Sequence, residues 1–462
     1  MAKGQKRPSV ALDDPRERVA KALDRCGADP HHAFLHLDAA APEKAAANPG
    51  PLAGKTLSVK DNVAVAGLPL TCGSAILKDH KAAYTATAVE RLVARGLTVV
   101  GKTNLDEFGC GSSGERSAFG PTKNPRDPTR VPGGSSSGAG ASIAAGLVDF
   151  ALGSDTGGSV RCPASFCGVT ALKPSYGLVS RSGLVDMAMS LEGPAPLARD
   201  ARGCALMLDA MAGPDPRDPV TLSGPSKPEG GYAFQLEQLP AKGLRVGVPQ
   251  QFLEGCAPEV ERAVRGAVDR FAAEGAIVRD VDLPEARLAL PSYYLVCYSE
   301  FASAMQKFDG YRYGARAAED RDLAATTSAN RAGLGDEVKR RILLGTHITM
   351  KEVKGKWYTA ALRARDQLAR GFARAFADHD LLLAPTMPFP AFKLGERVGD
   401  PLAMYAADVL TVSANLAGLP AGSTPIPTPG LPIGLQVMGP RGADLRVLQG
   451  MRLWEKLRQG GP

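Results

Sequence analysis

Hydrophobic and polar positions alternate through Lys55-Thr56-Leu57-Ser58-Val59-Lys60-Asp61-Asn62-Val63-Ala64-Val65, the period of a β-strand. On this pattern alone Lys60 reads as an exposed strand lysine between valines. Further on, Val89, Leu92 and Val93 recur at helical spacing behind Thr87-Ala88-Val89-Glu90, which has capping-box form, and Gly96 stops the helix. Leu97-Thr98-Val99-Val100 then reads as a second strand. Strand, helix and strand with short connections argue for parallel pairing in an α/β sheet.

The rest of the chain continues in this manner. Residues 1–50 are alanine-rich and charged, with a helix predicted over 15–25 and a short apolar piece at Ala33-Phe34-Leu35. Residues 213–243 form a Pro/Gly-rich connection. Leu244-Arg245-Val246-Gly247-Val248 restarts a strand, and Val260, Val264, Val268 and Phe271 mark a helix face ending at Gly275. Residues 292–378 read as mostly helical. Short strands return at Leu381-Leu382-Leu383-Ala384-Pro385, at 421–426 and at Gly434-Leu435-Gln436-Val437-Met438, with helices at about 401–417 and 443–458. Because strands resume after the helical middle, one domain with a helical insertion is expected: an N-terminal helical region (1–50), a catalytic core (51–212), the connection (213–243) and a C-terminal part (244–462) carrying the insertion at about 292–378.

Composition narrows the class. At 462 residues with 44% apolar and 22% charged positions, the chain has the make-up of a globular protein. A net charge of +7 is mild, and the one basic run is the short stretch at residues 3–7, so an anionic partner is permitted rather than demanded. No apolar stretch approaches eighteen residues and no apolar segment follows the basic start, so neither secretion nor membrane spanning is expected. Eight cysteines are scattered without C-x-x-C spacing, which makes reduced thiols and a cytoplasmic setting the default. His31, His32 and His36 lack partners at ligand spacing, so no metal is expected.

The densest chemical signal lies at residues 133–159, which hold eight glycines and six serines and include Gly133-Gly134-Ser135-Ser136-Ser137-Gly138-Ala139-Gly140 and Gly153-Ser154-Asp155-Thr156-Gly157-Gly158-Ser159. A flexible linker would not carry the core-like pieces Ile143-Ala144-Ala145-Gly146-Leu147 and Phe150-Ala151-Leu152. A phosphate loop of the GxxxxGK[ST] kind would close on a lysine, and none is present. A serine nucleophile on a tight glycine turn, with backbone N–H groups facing an oxyanion and a helix starting near Ser159, suits the residues. The usual base is histidine, but His80 is the only one between residues 55 and 202, on a polar stretch. A lysine made neutral by burial can serve instead. Spacing alone does not say which serine Lys60 would serve.

Lys60-Asp61-Asn62, Gly133-Gly134-Ser135-Ser136 and Gly153-Ser154-Asp155-Thr156-Gly157-Gly158-Ser159-Val160-Arg161 with Pro163-Ala164 resemble the amidase signature family, with similar intervals of 75 residues from lysine to middle serine and 24 between the serines. The resemblance implies one large domain with a mixed twisted β-sheet core covered by helices. It implies Ser159 as nucleophile, Ser135 after a cis peptide as proton relay and Lys60 as terminal base, with Thr156, Gly157, Gly158 and Ser159 offering oxyanion-hole N–H groups.

Within that family the closer likeness is to the glutamine-hydrolysing subunits of tRNA-dependent amidotransferases. It rests on Gly101-Lys102-Thr103-Asn104-Leu105-Asp106-Glu107-Phe108, Leu172-Lys173-Pro174-Ser175-Tyr176-Gly177 and Gly430-Leu431-Pro432-Ile433-Gly434-Leu435-Gln436, among other stretches from about 50 to 220 and 335 to 440. By this likeness Arg341 would hold the α-carboxylate of glutamine, Asp408 its α-amino group, and Tyr293 would stand at the edge of the site. Glutamine would be the substrate, and B and C subunits and a misacylated Glu-tRNA(Gln) or Asp-tRNA(Asn) would be partners. ATP and magnesium would bind the partner subunit, with no cofactor on this chain. The sequence departs from the family pattern at Ser137, Ala139 and Gly193-Pro194-Ala195. A stand-alone amidase for another small amide is the alternative reading, and a non-catalytic scaffold is disfavoured because the lysine and both serines survive together.

Overall fold

Eleven strands form one sheet in the order β1-β3-β2-β4-β6-β5-β10-β11-β9-β7-β8 in the computed structural model, which describes residues 14–316 and 322–459. The basic stretch at residues 3–7 lies outside them. The first half of the chain contributes β1 (Phe34–Leu37), β2 (Thr56–Lys60), β3 (Thr98–Thr103), β4 (Phe150–Asp155), β5 (Thr170–Lys173) and β6 (Gly193–Ala198). The second half contributes β7 (Arg245–Pro249), β8 (Ile277–Val281), β9 (Leu381–Pro385), β10 (Ala421–Ile426) and β11 (Ile433–Met438). The halves join where β10 pairs antiparallel with β5. The sheet is mixed: β2 runs parallel to β3 and β4, β7 runs parallel to β8 and β9, and the other pairings are antiparallel.

Helices cover both faces, which is why the central strands read as near-continuous apolar runs. In β9, Leu381 and Leu383 join one core cluster while Leu382 and Ala384 join another, as the period of two along a strand requires. The first cluster packs under the helices Thr87–Val93, Ala201–Met211 and Pro258–Ala273; the second lies under Ala289–Ala304, Asp336–Thr349 and Lys354–Asp378, the predicted helical insertion. None of the described helices is long and apolar enough to cross a membrane.

Local expectations fail in informative places. Thr87 is the first helical residue rather than the N-cap, which is Ala86, and its hydroxyl bonds the Asp215 carboxylate 2.5 Å away. The single helix expected over 401–417 is three short pieces, Pro401–Tyr405, a 3₁₀ turn Ala406–Asp408 and Val412–Leu416, because the N–H of Thr411 returns to the carbonyl of Asp408 at 3.0 Å. That break turns Asp408 towards the site described next. Strands β5, β6 and β8 carry no clear alternating signature and are not among the expected strands, and the apolar pieces at 33–35 and 150–152 prove to belong to β1, which starts at Phe34, and β4.

Candidate active site

Lys60 ends β2 and is fully buried, not exposed as its strand pattern suggests. The reason is two-sided pairing: β3 and β4 flank β2, and the helix Ser137–Ala144 packs across it. Its Nζ lies 2.8 Å from Ser135 Oγ and 2.9 Å from Ser154 Oγ. Burial drives the ammonium down to about 7, against the carboxylates of Asp106, Asp155 and Glu192, which favour the charged form. A lysine poised there gives and takes protons at neutral pH.

Ser135 follows a cis peptide at Gly134-Ser135 and leads into the helix Ser137–Ala144. The N–H of Ser136 donates to the carbonyl of Ser159 at 3.0 Å, which ties the two serine turns together. The departures from the family pattern here, Ser137 and Ala139, are accommodated within the surrounding fold. Ser137 Oγ lies 3.1 Å from Thr122 Oγ1, and Ala139 is buried in the apolar cluster beneath the N-terminal helix. The third departure sits on β6, where Gly193, Pro194 and Ala195 oppose Asp155, Ser154 and Gly153 of β4.

The turn that carries Ser159 is organised by Asp155. Burial opposes the charge of this carboxylate, but Arg161 beside it prevails and holds it well below the usual range. Arg161 reaches it through Nη2 at 2.9 Å and Nε at 3.1 Å, and both residues are inaccessible to solvent. The same carboxylate accepts the N–H groups of Gly158 at 2.9 Å and Val160 at 3.3 Å. The N–H of Gly158 is therefore engaged inside the turn, which removes it from the expected oxyanion donors. Those of Thr156, Gly157 and Ser159 have no acceptor among the described residues. Two glycines are obligatory on geometry. Gly158 has φ +130° and a Cβ there would meet Thr411 Oγ1 at 2.5 Å, while a Cβ on Gly157 would meet the Tyr293 ring at 2.5 Å. The helix that follows runs from Arg161 to Cys167, starting two residues after Ser159.

Tyr293, laid against Gly157, begins the other end of the site. Its neighbour Tyr294 donates its hydroxyl to Asp408 Oδ2 at 2.7 Å, and Ser112 donates to Asp408 Oδ1 at 2.6 Å. Burial lifts the Asp408 carboxyl to about 6, against these two hydrogen bonds and the nearby Arg341. Arg341 is buried, donates Nε to Glu337 Oε1 at 2.8 Å, and lies over the rings of Tyr294 and Tyr298 at 5.8 and 5.6 Å from their centroids. Its two terminal nitrogens have no partner among the described residues, which leaves the fork able to bind a carboxylate. Thr411 closes the distance between the two ends, with Oγ1 2.5 Å from the carbonyl of Gly157 and 3.1 Å from that of Asp408.

The structure thus brings Lys60, Ser135 and Ser159 together on one side, and Tyr293, Arg341 and Asp408 on the other. Sequence reasoning passed over Ser154, Asn62, Ser112, Tyr294 and the Asp155–Arg161 pair as functional parts, although several stand inside the quoted motifs. His80 is removed from this site, its ring against Tyr313 at 6.2 Å. Among the described residues no group of three or more His, Cys, Asp or Glu could hold a metal ion.

The amidase family model matches residues 21–448. The chain is 46% identical to the A subunit of glutamyl-tRNA(Gln) amidotransferase of Methanosarcina barkeri, over 95% of this chain and 93% of that one. It is 49% identical to the protein of the same name from Synechococcus sp., over 87% and 83%. The crystal structure of the A subunit of glutamyl-tRNA(Gln) amidotransferase from Thermotoga maritima superposes with a TM-score of 0.77 at 35% identity, covering 94% of this chain and 90% of that one.

Proposed function

The chain belongs to the amidase family, and from that premise we propose that it is the glutamine-hydrolysing subunit of a tRNA-dependent amidotransferase. The observation that carries this reading is the 2.8 Å contact between Ser135 Oγ and a buried, near-neutral Lys60, with the N–H of the next residue, Ser136, donated to the carbonyl of Ser159.

Glutamine enters with its α-carboxylate on the free fork of Arg341 and its α-ammonium on Asp408, with Tyr293 walling the space above the Gly157 turn. Ser159 Oγ attacks the side-chain amide carbon while its proton passes to Ser135, whose own proton passes to the lone pair of Lys60. The carbonyl oxygen becomes an oxyanion facing the N–H groups of Thr156, Gly157 and Ser159. Return of the proton through Ser135 to the amide nitrogen lets the C–N bond break, and ammonia leaves an acyl-enzyme. Water then repeats the sequence, its proton taken by the same relay, and glutamate departs with Ser159 restored.

Ammonia passes to a partner that activates Glu-tRNA(Gln), or Asp-tRNA(Asn), with ATP. The sequence carries no phosphate-cradling GxxxxGK[ST] motif, and in this reading ATP, magnesium and most tRNA contact are assigned to the partner subunit. Replacing Ser159 by Ala in the assembled complex tests it: glutaminase activity is expected to vanish while the subunits remain associated, and retention of activity would refute the mechanism.

A further inference from the structure

Lys60 has a second hydroxyl neighbour for which the relay has no use. Ser154, buried near the end of β4, approaches Nζ at 2.9 Å, as closely as Ser135 does at 2.8 Å. Behind it stands the amide of Asn62, 3.2 Å from Ser154 Oγ, whose Oδ1 is buried without a hydrogen-bond partner. The nitrogen and oxygen of such an amide exchange places by rotation about Cβ–Cγ. With Oδ1 turned to Ser154, the acceptor that lacked a partner takes the serine hydrogen, and Nδ2 moves to the place that Oδ1 held.

The direction of every hydrogen is then set. Ser154 gives its hydrogen to Asn62, so its oxygen must accept from an N–H of Lys60. The lone pair of the neutral amine is left pointing at the only other hydroxyl bonded to it among the described residues, that of Ser135. On the reading of Lys60 as base, we propose that Ser154, backed by Asn62, is a positioning residue that orients the Lys60 lone pair onto Ser135 and keeps it from turning aside. Ser136 holds Ser154 in place, with Oγ donating to the Ser154 carbonyl at 3.1 Å and accepting its N–H at 3.4 Å.

The charged groups facing Lys60 are Asp106 from the segment after β3, Asp155 at the end of β4 and Glu192 before β6, with the Cys72 thiol from the segment after β2. None of them is altered by changes at Ser154, so pH dependence isolates its role. Ser154 also accepts from the ammonium form, and removing that acceptor lowers the proton affinity of Lys60 further. Loosened packing acts in the opposite direction, since water admitted to the site relieves the desolvation that depresses it.

The test measures the labelling rate of Ser159 by a small fluorophosphonate against pH in the full-length chain, for Ser154→Ala, Ser154→Thr and Ser154→Val. The Ala and Val variants are expected to label ~10–100-fold more slowly, with the acid limb of the profile moved to lower pH. Thr, which keeps the hydroxyl and matches Val in shape, is expected to restore the rate to within ~3-fold. Wild-type labelling and an unmoved limb in Ser154→Ala overturn the proposal. So does an acid limb moved to higher pH with Thr and Val behaving alike, and this pair decides the matter if the Ala variant does not fold. Ser159→Ala separates the two readings: if it still labels, the assignment of the nucleophile fails and not that of Ser154.

Discussion

Tyr294 joins Asp408 and Arg341 in one contact, its hydroxyl 2.7 Å from a carboxylate oxygen of the first and its ring 5.8 Å beneath the guanidinium of the second. The two groups assigned to the ends of one amino acid are thus positioned by a single side chain. Removing the hydroxyl alone, in Tyr294→Phe, leaves the ring under Arg341 and deprives Asp408 of a hydrogen bond that favours its ionised form. Asp408 then protonates at a pH above its present value of about 6, and the ammonium of glutamine loses its counter-charge near neutrality. Steady-state glutaminase assays at pH 7 are expected to show KM raised ~10-fold with kcat within ~3-fold, and a KM that recovers as the pH is raised.

Arg341→Ala separates a glutamine-specific enzyme from an amidase for some other small amide. Its terminal nitrogens serve no residue described in the fold, so their value lies in the ligand. Glutamine kcat/KM is expected to fall ~100-fold or more, and Arg341→Lys to recover only part of it, since an ammonium does not reproduce the planar fork. An unchanged rate in Arg341→Ala would favour the alternative substrate class.

Lys60→Met should separate activity from stability. The depressed proton affinity of Lys60 means that between about 7 and its ordinary 10.5 the unfolded chain binds a proton that the native site refuses. Its burial therefore costs stability most at and below neutrality, and the cost fades as pH rises to 10.5. Denaturant unfolding of Lys60→Met is expected to show a gain of ~1–3 kcal/mol at pH 7 that shrinks by pH 10, together with loss of glutaminase activity. A variant destabilised at pH 7 would count against this account.

Much of the fold was readable because long strand and helix periods survive in the sequence. The segments that were missed have physical reasons. β6 places Pro194 and Pro196 inside a strand paired on both sides, and β5 has four residues, too few for a period. β8 is an edge strand with three of its five residues exposed or partly so beyond the first, which erases its alternation. In the site, the family resemblance pointed to Lys60, Ser135 and Ser159, which the structure brings together, while the burial that lowers the proton affinity of Lys60 was not legible, because one strand's pattern does not reveal what its neighbours cover. The engagement of Gly158 by Asp155 was equally hidden, since a run of glycines does not tell which N–H groups remain free. Tyr294 went unnoticed beside Tyr293 because adjacent tyrosines on a helix differ only in the direction they face.

The reach of Arg161 has a consequence for how the protein comes into being. Besides Asp155, it bonds the Thr411 carbonyl, Asn415 Oδ1 and Gln436 Oε1, the last 275 residues further along the chain. A ribosome has thus delivered Lys60, Ser135 and Ser159 long before the turn bearing the nucleophile can lock. The Asp155–Arg161 pair that shapes the turn is therefore completed only when β11 is in place, although every residue of the turn itself was made far earlier.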